Sequence, residues 1–139
     1  TQPAFITHNN SNNNHTFSSA ESYEQLAFNV EVIDKNSDFS NSTFTAPVDG
    51  TYFVTSGQMF NASSSGEIRH DIAIYVNSSI ALYRQDKGDN YAIAKTVNIV
   101  GLIDLDANDT VKVYSRVSDT KGRIYVSQTT STFHGYLVA

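Results

Sequence analysis

The stretch Phe39 to Phe60, FSNSTFTAPVDGTYFVTSGQMF, constrains the fold of this chain more than any other. Phe44 and Ala46 alternate with Thr43 and Thr45, the two-residue period of a strand with one buried face. Pro47 and Gly50 then bracket Val48 and Asp49, and a fixed φ beside a permissive backbone predicts a turn within a few residues. From Thr51 to Phe60 aromatic and β-branched residues dominate, which favours a pleated strand over a helix. Tyr52 and Val54 fall on one face of that strand, Phe53 and Thr55 on the other. Rings on both faces predict a strand covered twice, by a second sheet and by a neighbouring subunit.

The rest of the chain repeats the strand pattern. Short strands are expected over Ala4 to Thr7, Leu26 to Ile33 and Ile80 to Arg84. The cleanest alternation sets Ile68, His70, Ile72, Ile74 and Val76 against Arg69, Asp71, Ala73, Tyr75 and Asn77. Tyr91 to Leu105 reads as a long strand with Ile93, Val97, Ile99, Ile103 and Leu105 on one face, and Gly101 as the mark of a bulge. Val111, Val113 and Val117 alternate again, and Ile124 and Val126 form a short strand. The closing strand, Thr132 to Ala139, points Phe133, Gly135 and Leu137 one way and Tyr136 and Val138 the other. Turn signals separate these segments, and Ser18 to Gln25, the one helix-like composition, builds no lasting helical face. The pattern predicts an all-β sandwich of two antiparallel sheets. Periodicity leaves a jelly roll and an immunoglobulin-like sandwich open, and the absence of cysteine and tryptophan weakens the second.

With 139 residues the chain is read as a single domain, 1–139, able to bury a core without staples. No cysteine means no disulfide, thiol nucleophile or zinc–thiolate site, and leans towards a bacterial or viral source. A net charge of -5 disfavours nucleic acid and anionic membranes as partners, and no apolar run is long enough for a membrane span. The abrupt start at Thr1 is read as that of a mature or excised C-terminal head.

Chemistry is sparse. His8, His15, His70 and His134 are scattered, without metalloprotease spacing, and neither a nucleophile elbow nor a phosphate-cradling loop is present. The reading is not an enzyme. His70, on an apolar face, is expected to be a satisfied core histidine. The Asn-rich segment 8–16 supplies the ligand-binding candidates Asn9, Asn10, Asn12, Asn13 and Asn14, against the alternative of a solvated connector. Tyr83 and Arg84, beside the polar loop 84–91, join them. In that loop Asp86 and Asp89 flank Gly88 and offer hard oxygen ligands, so calcium is the one cofactor the reading admits. Lys87 between them offers the competing explanation of a solvated, charged loop.

Several of these stretches resemble one family in order along the chain. Phe44-Thr-Ala-Pro-Val-Asp-Gly-Thr-Tyr-Phe53 resembles the F-x-x-P-x-x-G-x-Y-x-F corner of the C1q globular-head domain, in the C1q/tumour-necrosis-factor superfamily. Pro3-Ala4-Phe5 is similar to its opening strand, Phe28, Val30 and the Asp34 to Phe39 stretch to its lead-in, Gly101 to Val111 to its L-x-L-x-x-G-D-x-V segment, and Phe133 to Val138 to its closing F-x-G-F/Y-L. Asn108 departs from the family's glycine. The resemblance implies a jelly roll with Phe44, Pro47, Gly50, Tyr52, Phe133 and Gly135 as structural residues. It implies calcium near a trimer axis, as some relatives hold it through carboxylates in the region of Asp86 and Asp89. It also implies a homotrimeric, non-enzymatic recognition head that binds a surface protein or glycan at the tip of a stalk or fibre. Such a head is extracellular or secreted, or sits on a spore or virion surface. The alternative is a structural trimerisation cap that registers a collagen-like or viral stalk and binds nothing.

Overall fold

The computed structural model describes residues 2–89 and 94–139, with Asp89 described in its backbone alone. The strands, in chain order, are β1 (Ala4–His8), β2 (Asn14–Thr16), β3 (Glu24–Gln25), β4 (Val30–Asp34), β5 (Phe39–Ser40), β6 (Thr43–Thr45), β7 (Gly50–Ala62), β8 (Glu67–Val76), β9 (Ser79–Asp89), β10 (Lys95–Leu105), β11 (Thr110–Val117), β12 (Gly122–Tyr125) and β13 (Thr132–Leu137). A single 3-10 turn, Lys35–Ser37, is the only helical element among the described residues.

Two antiparallel sheets result. In the first, the order is β2-β12-β7-β13-β1-β4, with β10 along the other edge of β7. In the second it is β5-β6-β11-β8-β9, with β3 beside β11. The 13-residue β7 is the spine of the first sheet. One edge of it pairs with β10 from Gly50↔Leu105 to Phe60↔Lys95. The other edge is shared by β13 over Tyr52 to Gly57 and by β12 over Met59 to Ala62. The first and last strands close on each other, Phe5 opposite Gly135. This is a jelly roll.

The inward rows of the two sheets make the core, and their side chains each gain roughly 1.5–3 kcal/mol from burial. Phe5, Tyr52, Val54, Phe60 and Phe133 from the first sheet meet Phe44, Ile68, Ile72, Ile74, Val111, Val113 and Val117 from the second. Phe5 is the centre of an aromatic cluster, stacked on Phe44 at 4.6 Å and edge-on to Phe133 at 4.9 Å. Gly135 exists to admit that ring, since a Cβ there would lie 2.7 Å from Phe5 Cε1.

The Pro47–Gly50 corner forms as the spacing predicts, but its glycine has another reason. Gly50 has no positive φ; a Cβ there would meet Leu137 Cδ1 at 2.6 Å and the Ala139 carbonyl oxygen at 2.7 Å. Close passage of the C-terminus, not backbone freedom, requires it. Gly101 is likewise no bulge, for the β7–β10 register runs unbroken through Gly101↔Val54. Its missing side chain makes room for Leu82, whose Cδ1 would lie 2.7 Å from a Cβ. That contact closes one open side of the sandwich, where β9 and β10 meet.

Three further expectations are corrected. Leu26 to Asn29 is not strand, although Leu26 and Phe28 are buried. Their amides are satisfied outside a continuous ladder, by Val113 O at 2.9 Å and Ser42 Oγ at 2.8 Å. The polar run 85–89 is not loop: β9 continues through it, paired with β8 from Asp71↔Gln85 to Glu67↔Asp89. Pairing along a ten-residue strand outweighs the turn propensity of Gly88 and its neighbours. The Asn-rich segment is also not all loop, since Asn14–Thr16 pairs with β12. Tyr91 and Ile93 lie outside the described residues. Asn108 has φ 76°, so the departure from glycine is met by the residue type that next best tolerates the left-handed region.

Candidate functional site

Sheet pleating gives each sheet a second face, and both carry unusual side chains. On the first sheet the row opposite the core holds Phe53 and Tyr136, register partners whose rings lie 5.3 Å apart. Ile6, His134 and Thr55 line up across β1, β13 and β7 beside them. On β10 the same face shows Val100 and Leu102, 59% and 60% exposed, and Tyr136 is 44% exposed. An open groove of about 570 Å³ runs over this face, lined by Ile6, Ile33, Phe53, His134 and Tyr136 among others. Burial, and then the neighbouring His8, hold the His134 imidazole below its ordinary pKa. The sequence signalled Phe53 and Tyr136 on this face; it did not single out Val100 and Leu102, although their alternation with Ile99, Gly101 and Ile103 carried the signal.

The outer face of the second sheet is polar and aromatic. Its centre is Asp71, a fully buried carboxylate on β8. Arg116 Nε, from β11, donates to Asp71 Oδ2 at 2.6 Å, and Arg69 Nε donates to the same oxygen at 3.1 Å. The Tyr83 hydroxyl from β9 reaches Asp71 Oδ1 at 3.1 Å and Gln85 Oε1 at 2.8 Å. Arg69 also pairs with Glu21. The Arg116 guanidinium lies over the Tyr23 ring, 4.6 Å from its centroid, and Tyr75 and Tyr114 pack beside it with their own rings 4.3 Å apart. Burial pushes the Tyr23 phenol up to about 12. Register explains the assembly: Tyr114↔Ala73, Arg116↔Asp71 and Asp71↔Gln85 bring three strands to one point. Sequence reasoning placed Arg69 and Asp71 together in the polar half of one alternation; nothing local to them announces the partners from other strands, Arg116 on β11 and Tyr83 on β9.

The sequence-predicted site residues do not form one patch. Asn9 is buried and structural, its Nδ2 donating to Ala27 O at 2.9 Å and its Oδ1 accepting from Ser11 N at 2.9 Å. Asn10, Asn12, Asn13 and Asn14 are exposed. Of these, Asn10 exchanges hydrogen bonds with Asn29, Asn12 has φ 55°, and the Asn13 carbonyl accepts from Val126 N. Tyr83 and Arg84 are adjacent on β9 and so point to opposite faces; Tyr83 belongs to the Asp71 network and Arg84 does not. Asp86 stands opposite His70 in the register and pairs with Lys95 at 3.9 Å, while Lys87 turns instead to Glu67 at 3.1 Å. The Asp89 side chain lies outside the described residues, and among the described residues no group of three histidine or acidic side chains is placed to hold a metal. Of the structural set, Phe44, Tyr52, Phe133 and Gly135 are buried in the core, and Gly50 is partly buried under the C-terminus. Pro47 is exposed at the corner.

The histidines are dispersed. His8 and His134 share the outer face of the first sheet, and His15 Nε2 lies 3.3 Å from Glu24 Oε1. His70 is in the core, stacked on Phe60 at 4.3 Å and bonded to the Asn61 backbone, with its pKa lowered by burial to about 4. A neutral, packed imidazole of this kind is a core residue, as its apolar row predicts.

A jelly roll whose first and last strands pair, with an apolar outer face on one sheet and loops at its ends, defines a globular head of the C1q kind. The family model for the C1q domain matches residues 4–138, and the chain belongs to that family. Among solved structures it is similar to the globular domain of zebrafish complement 1qA protein, at 18% identity and TM-score 0.70, over 100% of this chain and 98% of that one. No curated protein matches the sequence. Domains of this family are typically extracellular, trimeric recognition modules and generally lack enzymatic activity. No described helix is long and apolar enough to cross a membrane.

Proposed function

We propose that this chain is a non-enzymatic, homotrimeric recognition head that binds a surface protein or glycan at the tip of a stalk or fibre. One observation supports it above others: the outer face of the first sheet, where Val100, Leu102 and Tyr136 are exposed in the single chain and Ile6 and Phe53 are only partly covered. A contiguous apolar face on a sheet whose other side is already the core is costly to leave in water. Packing three copies on it would bury the area typical of obligate interfaces, upwards of ~2,000 Å². Ligand contacts then fall on surfaces the assembly leaves free, the end loops with Asn10, Asn12 and Asn13 and the outer face of the second sheet.

The test is the mass in solution of the wild type and of Leu102→Glu. A trimer at micromolar concentration, and a folded monomer in the variant, are expected. A wild-type monomer overturns the assembly. Binding of the trimer to a panel of cell surfaces and glycans separates a recognition head from a mere stalk cap, which binds nothing.

A further inference from the structure

We propose that the outer face of the second sheet is a site for a carboxylated sugar displayed on a glycan, with the Arg116 guanidinium as the anchor for the sugar's carboxylate. This rests on the reading of the chain as a recognition head and names its ligand class.

The argument begins with Asp71. A carboxylate with no exposure, on the strand row that should face water, is costly to desolvate, and a hydrophobic replacement of similar size is often no less stable. Stability alone is therefore a poor reason for it. What Asp71 does achieve is orientation. It takes Nε of Arg116 at 2.6 Å, and the Tyr23 ring supports the guanidinium plane 4.6 Å away. The rotamer freedom that an arginine normally loses on binding is already lost in the free protein. With Nε committed to Asp71, the terminal N–H groups are the part of the fork left for a ligand. A carboxylate matches them in geometry and charge. The Arg116 side chain keeps 29% of its surface exposed for that purpose.

The neighbours suit a sugar. Tyr114 precedes Arg116 by two residues on β11 and so shares its face, and Tyr75 packs on Tyr114 at 4.3 Å. Both rings are only partly buried. The C–H faces of a pyranose pack on such aromatic surfaces, while hydroxyls bond to the Tyr and Gln side chains around them. Charge narrows the class further. Arg69 and Arg116 are balanced locally by Asp71 and Glu21. In a chain of net charge -5, such a balanced surface disfavours a polyanion but accepts a single carboxylate. The face also lies opposite the one assigned to assembly, so three copies stay exposed on a trimer and can engage a multivalent glycan.

The experiment uses calorimetry on the full chain with two probes, sialyllactose and a glucuronate-terminated disaccharide, each beside its carboxyl-reduced alcohol. At least one acid is expected to bind and its alcohol not. Arg116→Lys keeps the charge and the pairing with Asp71 but loses the fork. It is expected to weaken binding about tenfold, as loss of a charge-assisted bond implies. Tyr114→Ala touches neither Asp71 nor the core and is expected to weaken it comparably, with melting of both variants checked first. Equal binding of acid and alcohol, or binding unmoved by both variants, overturns the site. So does a wild type that binds neither acid; if that protein still binds cells through the end loop with Asn10, Asn12 and Asn13, the recognition-head reading survives and this site does not.

Discussion

The hydroxyl of Tyr52 donates to the carbonyl oxygen of Val48, four residues back, at 2.9 Å. A fully buried ring thereby ties the Pro47–Gly50 corner to the spine strand β7, packing against Phe44 at 5.6 Å on the way. Two losses can be separated. Tyr52→Phe removes only the hydrogen bond and is expected to cost about 1 kcal/mol. Tyr52→Ala also opens a cavity and is expected to cost about 3–5 kcal/mol. Urea unfolding of both variants checks the ratio; equal costs would show that the ring packs loosely.

Gly50 and Asn108 test two different reasons for a small or permissive residue. Gly50→Ala drives a Cβ to 2.7 Å from the Ala139 carbonyl, a backbone atom, and overpacking of this kind is expected to destabilise by about 1–3 kcal/mol. Asn108 instead has φ 76°, a constraint of its own backbone rather than of a neighbour. Asn108→Gly is expected to be tolerated within about 1 kcal/mol, and Asn108→Ala to cost about 1 kcal/mol from left-handed strain. Thermal melts of the three variants decide, and a neutral Gly50→Ala would mean the C-terminus simply moves aside.

His70 makes acid stability predictable in sign. Its pKa falls from 6.5 to about 4 in the fold, first because burial disfavours the imidazolium, with Asp86 opposing. Below pH 6.5 the unfolded chain takes up a proton that the folded chain refuses until about pH 4, so stability falls with pH across that window. The loss is at most about 3.5 kcal/mol, since each pH unit of that window is worth about 1.4 kcal/mol. His134, also held below its ordinary value, acts in the same direction. Urea midpoints at pH 7.5 and 4.5 are expected to differ less in His70→Gln than in the wild type. Identical pH dependence in His70→Gln would assign the acid limb elsewhere.

How much of this was legible depends on whether the cause is local. The corner, the alternation of β8 and the closing strand are properties of consecutive residues, and all appear where the pattern puts them. Gly50 and Gly101 were placed in the right elements but for the wrong reason, because what they yield to, Ala139 and Leu82, is distant in sequence. The continuation of β9 through Gln85 to Asp89 was hidden in the same way: its partner strand, not its own composition, holds it. The outer apolar face was half visible in Phe53 and Tyr136. Of the Asp71 network only Arg69, two residues away on the same row, was visible. The rest needs β8, β9 and β11 to be aligned, with Tyr23 brought alongside, before Tyr83 and Arg116 meet that carboxylate.

That network also separates a buried ion pair from a surface one. Asp71 has no exposed side-chain area, whereas Glu67 and Lys87, paired at 3.1 Å, are 67% and 61% exposed. The exposed pair is expected to contribute about 0–1 kcal/mol and to fade in salt. Removing the Asp71 charge leaves two guanidiniums beside a neutral amide in a partly desolvated setting, and Asp71→Asn is expected to cost about 3–5 kcal/mol. Because water and ions are excluded from Asp71, the cost should persist at high salt. Arg69→Met removes one of the two guanidinium partners and leaves Arg116 in place, so a smaller loss is expected. Denaturant titrations of Asp71→Asn, Arg69→Met and Glu67→Gln at low and high sodium chloride test the ordering. Using urea keeps the denaturant from supplying the salt. A cost for Asp71→Asn that collapses at high salt, or matches that of Glu67→Gln, would show the carboxylate to be solvated and its hold on Arg116 weak.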